Sequence, residues 1–355
     1  MRRRHFKTLR PVCPVCRPSA GEFPLQLTSV AREDADHIVE GVLGCSNAAC
    51  QREFPIIDGI PIIVPTIRSY VRDQLSAIHG RDDLGAVSES ILGDCAGPGS
   101  PHDALRQHVS SYVWDHYGEF DPSESAEPRP GGIVRLLEYS FAALKLPTPV
   151  IDIGCGPGRT TFELAARSGG LVLGVDLHFA MLRVAARALR TGAVRYARRS
   201  VGLVYERREF AVPFAAAENV DFWACDALAL PFAEGQWPLA VCLNVLDCVA
   251  GPAELLAELR RIVRPEGHAV LACPYDWSTG ATPVEGWLGG HSQRGPQRGA
   301  SEPVLRQLLA HGGWEIAAER DGFDWRVRLH DRAAMHYRVH SVHARAVSAP
   351  PEPSS

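Results

Sequence analysis

Two groups of residues in this 355-residue chain have types and spacings suited to chemistry. Cys13 and Cys16 share the tight turn Pro11-Val12-Cys13-Pro14-Val15-Cys16, and after a longer gap Cys45 and Cys50 form a second close pair. Two turns bearing close thiolate pairs can supply the four soft ligands of tetrahedral Zn²⁺, so the spacing predicts a metal site before a disulfide framework. The second group begins at Val150-Ile151-Asp152-Ile153-Gly154-Cys155-Gly156-Pro157-Gly158-Arg159, which reads as a strand, a glycine loop and a helix start. Glycines at 154, 156 and 158 let the backbone approach a ligand closely. The dinucleotide fingerprint G-x-G-x-x-G needs glycine where this chain has Arg159, so the spacing argues against NAD. Asp176 ends the next strand, where a carboxylate can accept both hydroxyls of a ribose. Asp221 to Phe232 closes a third strand with Asp226 and Ala227, and Val241 to Cys248 closes a fourth with Asn244.

These loops need a scaffold, and residues 148–345 alternate strands with helices in the manner of a mainly parallel sheet covered on both faces. Strands are expected at 149–153, 171–176, 220–225, 238–244, 268–273, 314–318 and 324–329. The candidate loops then fall at the carboxyl ends of strands, where open α/β sheets bind ligands. Residues 1–65 read as a small β module with a hairpin around Asp58-Gly59; it has little core of its own, and a structural metal would add folding free energy. Residues 66–145 read as a helical connector that covers the site, with helices at Leu105 to Phe120 and Gly132 to Leu144 and a linker at Gly93 to Ser100. Residues 346–355 read as a disordered tail.

The composition narrows the function classes. Lys and Arg total 37 against 41 Asp and Glu, a formal charge of −4, with 46% hydrophobic and 22% charged residues. No apolar run approaches the roughly 18 residues of a membrane helix, and the basic start Met1 to His5 is not followed by a signal core, so a cytoplasmic protein without a membrane partner is expected. A slightly acidic chain is a poor generic binder of phosphate backbones.

The four blocks, in this order, resemble the class I S-adenosylmethionine-dependent methyltransferases. The resemblance implies an α/β, Rossmann-like seven-stranded sheet with helices on both faces and its last strand antiparallel. It places Asp152, Gly154, Cys155 and Gly156 against the methionine part of S-adenosyl-L-methionine, Asp176 at the ribose, Asp226 and Ala227 at the adenine, and Asn244 at the methyl-transfer point. Gly158 and Leu177 complete the cofactor set, and Asn244, Asp247 and Tyr275 are the candidate catalytic residues. A sulfonium already activates the methyl group, so the protein mainly aligns an acceptor and excludes water. A neutral imidazole nitrogen or a thiolate attacks directly near pH 7, whereas hydroxyl or carbon acceptors need a placed base, and no residue pair stands out as one.

The acceptor is read from other segments. Cys273-Pro274-Tyr275-Asp276-Trp277, Thr282 to Gly290, His116-Tyr117-Gly118, Asn244 to Asp247 and Trp325 to Arg328 resemble the methyltransferase domain that ends ovothiol-synthesising enzymes, which methylates an imidazole nitrogen of mercaptohistidine. That resemblance implies a small-molecule acceptor of imidazole or thiohistidine type, methylated on nitrogen or sulfur. Arg326 or Arg328 can pair its carboxylate, and Tyr112, His116, Tyr117, Tyr275, Trp277 or Trp287 can wall a planar group. Cys-Pro-x-Cys, the later cysteine pair and Phe54-Pro55-Ile56 through Asp58-Gly59-Ile60-Pro61 are similar to the small zinc-binding proteins that activate tRNA and protein methyltransferases. This implies a structural zinc and a protein partner for that module. Two alternatives use the same residues: a tRNA or rRNA methyltransferase docking RNA through the zinc unit and the arginines of the 194–215 insertion, or a non-catalytic scaffold.

Overall fold

The computed structural model describes residues 1–81, 83–124, 129–141, 146–214 and 217–347. Helix α1 (Arg3–Leu9) precedes four strands, β1 (Leu25–Asp34), β2 (His37–Cys45), β3 (Glu53–Ile57) and β4 (Ile60–Ile63). Helices α2 (Ile67–Ile78), α3 (Ala86–Ala96), α4 (Pro101–Tyr117) and α5 (Gly132–Ser140) follow. The remainder runs β5 (Val150–Ile153), α6 (Arg159–Ser168), β6 (Val172–Asp176), α7 (Phe179–Thr191), the hairpin β7 (Ala193–Val201) and β8 (Val204–Ala211), β9 (Val220–Cys225) and β10 (Trp237–Leu243). It ends with α8 (Pro252–Ile262), β11 (Val263–Cys273), α9 (Ser301–His311), β12 (Trp314–His330) and β13 (Ala333–Ala346).

The expected seven strands are corrected to eleven among the described residues. Their order is β1-β2-β3-β4-β9-β6-β5-β10-β11-β13-β12, with β7-β8 as a separate ribbon. Strands β5, β6, β9, β10 and β11 are parallel, and β13 runs antiparallel to both β11 and β12. The extra four come from the amino-terminal region, which is continuous with the main sheet. All four residues of β4 are buried, and such a strand needs cover on both faces. It joins the sheet by pairing parallel with β9, Ile62 opposite Ala224 and Ile63 opposite Cys225, and its side chains enter the cores on the two faces, Ile60 and Ile62 on one and Ile63 on the other. Polar contacts stitch the same region down: Asp221 accepts from the Arg2 backbone N–H at 2.7 Å, and Arg17 pairs with Glu258 at 3.1 Å.

Two further expectations change. The strands expected at 314–318 and 324–329 are one irregular strand, β12, and its return partner β13 is not among the expected strands. Val339 to Ala344 are buried in β13, but Ser341, His340 and His343 interrupt the apolar run that would have marked it. The expected linker Gly93 to Ser100 is half helix: α3 runs to Ala96, and Ser100 caps α4 by accepting from the Asp103 N–H at 3.1 Å, with Pro101 at the first turn. Part of the helix expected to Leu144, and the tail from 348 onward, lie outside the described residues. No described helix is long and apolar enough to cross a membrane.

Candidate active site

The carboxyl ends of β5, β6, β9 and β10 open on a cavity of about 330 Å³. Gly154 and Gly158 shape its glycine loop. Gly154 has φ 71°, and a Cβ there would come within 2.2 Å of Val245; Gly158 has φ 90°, and its Cβ would meet Phe222 at 2.6 Å. The loop is held from behind by Tyr117, whose buried hydroxyl donates to the Pro157 carbonyl at 2.6 Å.

Each strand delivers one polar group. Asp152 on β5 is 2% exposed, and its Oδ2 accepts from the hydroxyls of Thr160 and Thr161 at 2.7 and 2.6 Å. Burial pushes this carboxyl up to about 6. Asp176 ends β6 and accepts from the N–H groups of Gly156 at 2.8 Å and His178 at 2.7 Å. A carboxylate has about four lone-pair sites, so two remain to receive vicinal hydroxyls. Asp226 follows β9, its Oδ1 fixed by the Leu228 N–H at 2.9 Å. Asn244 follows β10 in the left-handed region at φ 57°, and neither its amide oxygen nor its amide nitrogen has a hydrogen-bond partner although both are buried. Buried amides are normally satisfied, so this side chain marks a place for a ligand.

The opposite wall is α4. His108, Tyr112 and His116 lie four residues apart and line the cavity together. The Arg159 N–H points at His116 Nδ1 at 3.3 Å, so the neutral ring carries its proton on Nε2. Burial, with Arg159 beside it, drives His116 down to about 3. His108 stacks on His178 with ring centroids 5.2 Å apart and is lowered to about 4, chiefly by burial and then by that neighbour. Trp325 completes the wall; its Nε1–H donates to Asp115 at 2.9 Å, and the same carboxylate accepts the N–H groups of Gly132 at 2.7 Å and Ile133 at 3.2 Å at the start of α5.

Asp115 therefore joins α4, α5 and β12, and burial raises its carboxyl to about 6. Its protonated form contributes stability that is full below about pH 4, the unfolded value, and is lost as pH rises through about 6. Asp115→Asn cannot ionise and replaces one acceptor oxygen by an NH2 group among three N–H donors, with an expected cost of about 1–3 kcal/mol at pH 4. The difference from wild type should narrow by about 1–3 kcal/mol by pH 7. Urea unfolding at both pH values measures this, and a pH-independent difference would show that Asp115 titrates normally.

The cavity thus gathers Asp152, Gly154, Gly156, Asp176, Leu177, Asp226, Ala227, Asn244, Tyr112 and His116 from the sequence expectation. Cys155, Gly158 and Tyr117 support the loop from outside the lining. Asp247 is buried next to it and accepts the Asp276 N–H at 2.7 Å. Tyr275 turns away, its hydroxyl 2.7 Å from His340 Nδ1. Trp277 stacks on Trp287, their rings 6.2 Å apart, and donates to Ser301 at 3.1 Å. Arg326 is exposed on β12, and Arg328 is buried on Asp331 and the Arg199 carbonyl, both at 2.6 Å. His108, His178, Cys248 and Trp325 line the cavity without having been expected there. His108 was legible from the four-residue spacing to Tyr112 and His116, and Trp325 from strand alternation against Arg326.

Away from this cavity, the four Sγ atoms of Cys13, Cys16, Cys45 and Cys50 all lie within 4.8 Å of one another. Cys13 and Cys50 are 4.0 Å apart, and Cys16 and Cys45 are 3.7 Å apart. Asn47 directs its backbone N–H at Cys45 Sγ and its amide at Cys16 Sγ, at 3.4 and 3.5 Å.

A doubly wound sheet that lines a cavity with acids at the ends of neighbouring parallel strands has the arrangement in which open α/β folds bind ligands. Residues 151–271 match a family described as a methyltransferase domain. Among curated relatives, tocopherol O-methyltransferase of Arabidopsis thaliana is 23% identical over 212 residues, covering 52% of this chain and 55% of the relative. A ubiquinone biosynthesis O-methyltransferase of Salmonella paratyphi A is 28% identical over 45% of this chain and 54% of its own length. The chain spans about half the length of these relatives. A solved methyltransferase structure from Methanosarcina mazei, 21% identical, aligns over 58% of this chain and 96% of that one with a TM-score of 0.38.

Proposed function

We propose that the chain methylates a small planar acceptor on a nitrogen or sulfur atom, of imidazole or thiohistidine type. The observation that carries the reading is the unpartnered Asn244 amide in a cavity that also presents Asp176 and Asp226. When bound, S-adenosylmethionine supplies a methyl group activated on a sulfonium. Asp176 would take the ribose hydroxyls, Asp226 and Ala227 the adenine, and Asn244 with the His116 Nε2–H the methionine end or the acceptor. Tyr112 and Trp325, with ring centroids 6.4 Å apart, provide flat apolar walls that orient the acceptor and keep water out.

The lining histidines support this choice of acceptor atom. A hydroxyl acceptor needs a base matched to neutral pH, whereas His108 and His116 lie near 4 and 3, burial also lowers His178, and the raised Asp152 carboxylate is occupied by the hydroxyls of Thr160 and Thr161. An imidazole nitrogen or a thiol needs little help. The curated relatives are named as O-methyltransferases, which makes oxygen the competing outcome. The test incubates the protein with methyl-labelled S-adenosylmethionine and, separately, a mercaptohistidine, histidine, thiophenol and catechol, with products identified by mass. Label in the imidazole or thiol compounds is expected; label in catechol alone would overturn the assignment.

The RNA alternative loses support at its arginines. Arg198 is paired with Glu124 and Asp331, Arg207 with Glu89, and Arg208 with Glu206 and Asp121, while Arg199 is bound to Gln107. A cytoplasmic location and a protein partner at the amino-terminal unit remain parts of this reading.

The four thiols would hold a structural Zn²⁺. Zn–S bonds of about 2.3 Å in a tetrahedron put sulfurs about 3.8 Å apart, close to the 3.7 Å between Cys16 and Cys45 and the 4.0 Å between Cys13 and Cys50, and the Asn47 N–H groups would stabilise thiolates. Elemental analysis should give one zinc per chain; freshly purified protein without zinc would remove the site.

A further inference from the structure

We propose that a second cavity, between α2, α3, α4, α7 and β7, is a binding site for an amphiphilic carboxylate. Its volume is about 550 Å³, larger than the cofactor cavity and within the usual range of ligand pockets. The two cavities share α4 and α7 as their partition. Leu105 and Val109 face the second cavity where His108 and Tyr112 face the first, and Ala180 and Val184 face it where Met181 faces the first. Leu92 on α3 extends the apolar wall.

Charge selects the head group. Arg81, Arg106, Arg183, Arg187 and Arg195 all line the cavity. Arg81, Arg183 and Arg187 are paired with Asp83, Asp58 and Glu209, and the lining carboxylate of Glu89 is taken by Arg207. Arg106 and Arg195 make no ion pair among the described residues. Arg106 lies over the Tyr205 ring at 3.8 Å, and Arg195 donates to the Leu84 carbonyl at 2.6 Å, contacts that satisfy geometry without neutralising charge. A recess with low-dielectric walls and two such cations attracts an anion, and the planar guanidinium suits a carboxylate.

A carboxylate with a medium-length apolar body suits both features together: its head meets a guanidinium group at Arg106 or Arg195, and its body covers Leu92, Leu105, Val109 and Val184.

Isothermal titration of the full chain with decanoate tests the assignment, with and without S-adenosylhomocysteine. One decanoate per chain is expected, with unchanged affinity in both arms. Arg106→Met should weaken it at least tenfold, decan-1-ol should bind at least tenfold more weakly than decanoate, and Val109→Phe should remove binding by filling the space. Absence of binding, displacement by S-adenosylhomocysteine, or unchanged affinity in both folded variants would overturn the proposal.

Discussion

Asp176→Ala should reduce the affinity for S-adenosylhomocysteine at least a hundredfold in calorimetry. Two hydrogen bonds from ribose hydroxyls to a charged acceptor contribute about 1.5–3 kcal/mol each, and every 1.4 kcal/mol is about a factor of ten. The substitution also leaves the N–H groups of Gly156 and His178 without their acceptor, which loosens the glycine loop. Asp176→Asn keeps one acceptor oxygen and should give an intermediate loss. Burial raises the Asp176 carboxyl above its ordinary value, so its charge is lost earlier as pH falls, and wild-type affinity should decline in the acidic range before an exposed aspartate would titrate. Affinity retained within threefold in a folded Asp176→Ala protein would overturn the ribose assignment.

With zinc in the four-cysteine site as proposed, its removal should cost about 5 kcal/mol or more, a substantial part of the free energy that structural zinc supplies in small metal-dependent domains. A change of that size should lower Tm by about 7 °C. The loss should extend to the cofactor cavity, because β4 follows the cysteine-bearing strands and pairs with β9, which ends at Cys225 beside Asp226. Cys45→Ser and treatment with a strong chelator should therefore lower both Tm and S-adenosylhomocysteine affinity, with zinc restoring the chelated protein. Unchanged melting and binding in metal-free protein would show that the thiols pack without an ion.

The readable parts of the site were local. Asp176 ends an apolar strand, Asp226 directly follows one and Asp152 is the one polar residue of a third, and the glycines between Ile153 and Arg159 announce a tight turn, so short stretches of sequence disclose their positions. The α4 wall depended on packing. Tyr117 and His116 are neighbours, yet the helix turns one toward the Pro157 carbonyl and the other into the cavity lining. Trp325 and Arg326 are likewise neighbours, and strand alternation assigns only the tryptophan to the cavity. β13 was obscured because the side chains of His340 and His343 are satisfied by Tyr275, Glu319 and His268, long-range partners that no local pattern reveals. The union of β4 with β9 was equally nonlocal: Ile60 to Ile63 read as half of a hairpin, and nothing nearby names the strand on its other side.

That union governs whether the catalytic half can exist alone. A fragment beginning at residue 146 would leave the outer backbone groups of β9 unpaired, on a strand whose six residues are all buried in the intact chain. Such an unprotected border invites a second copy to add strand to strand, so separating the halves would trade a covered edge for self-association.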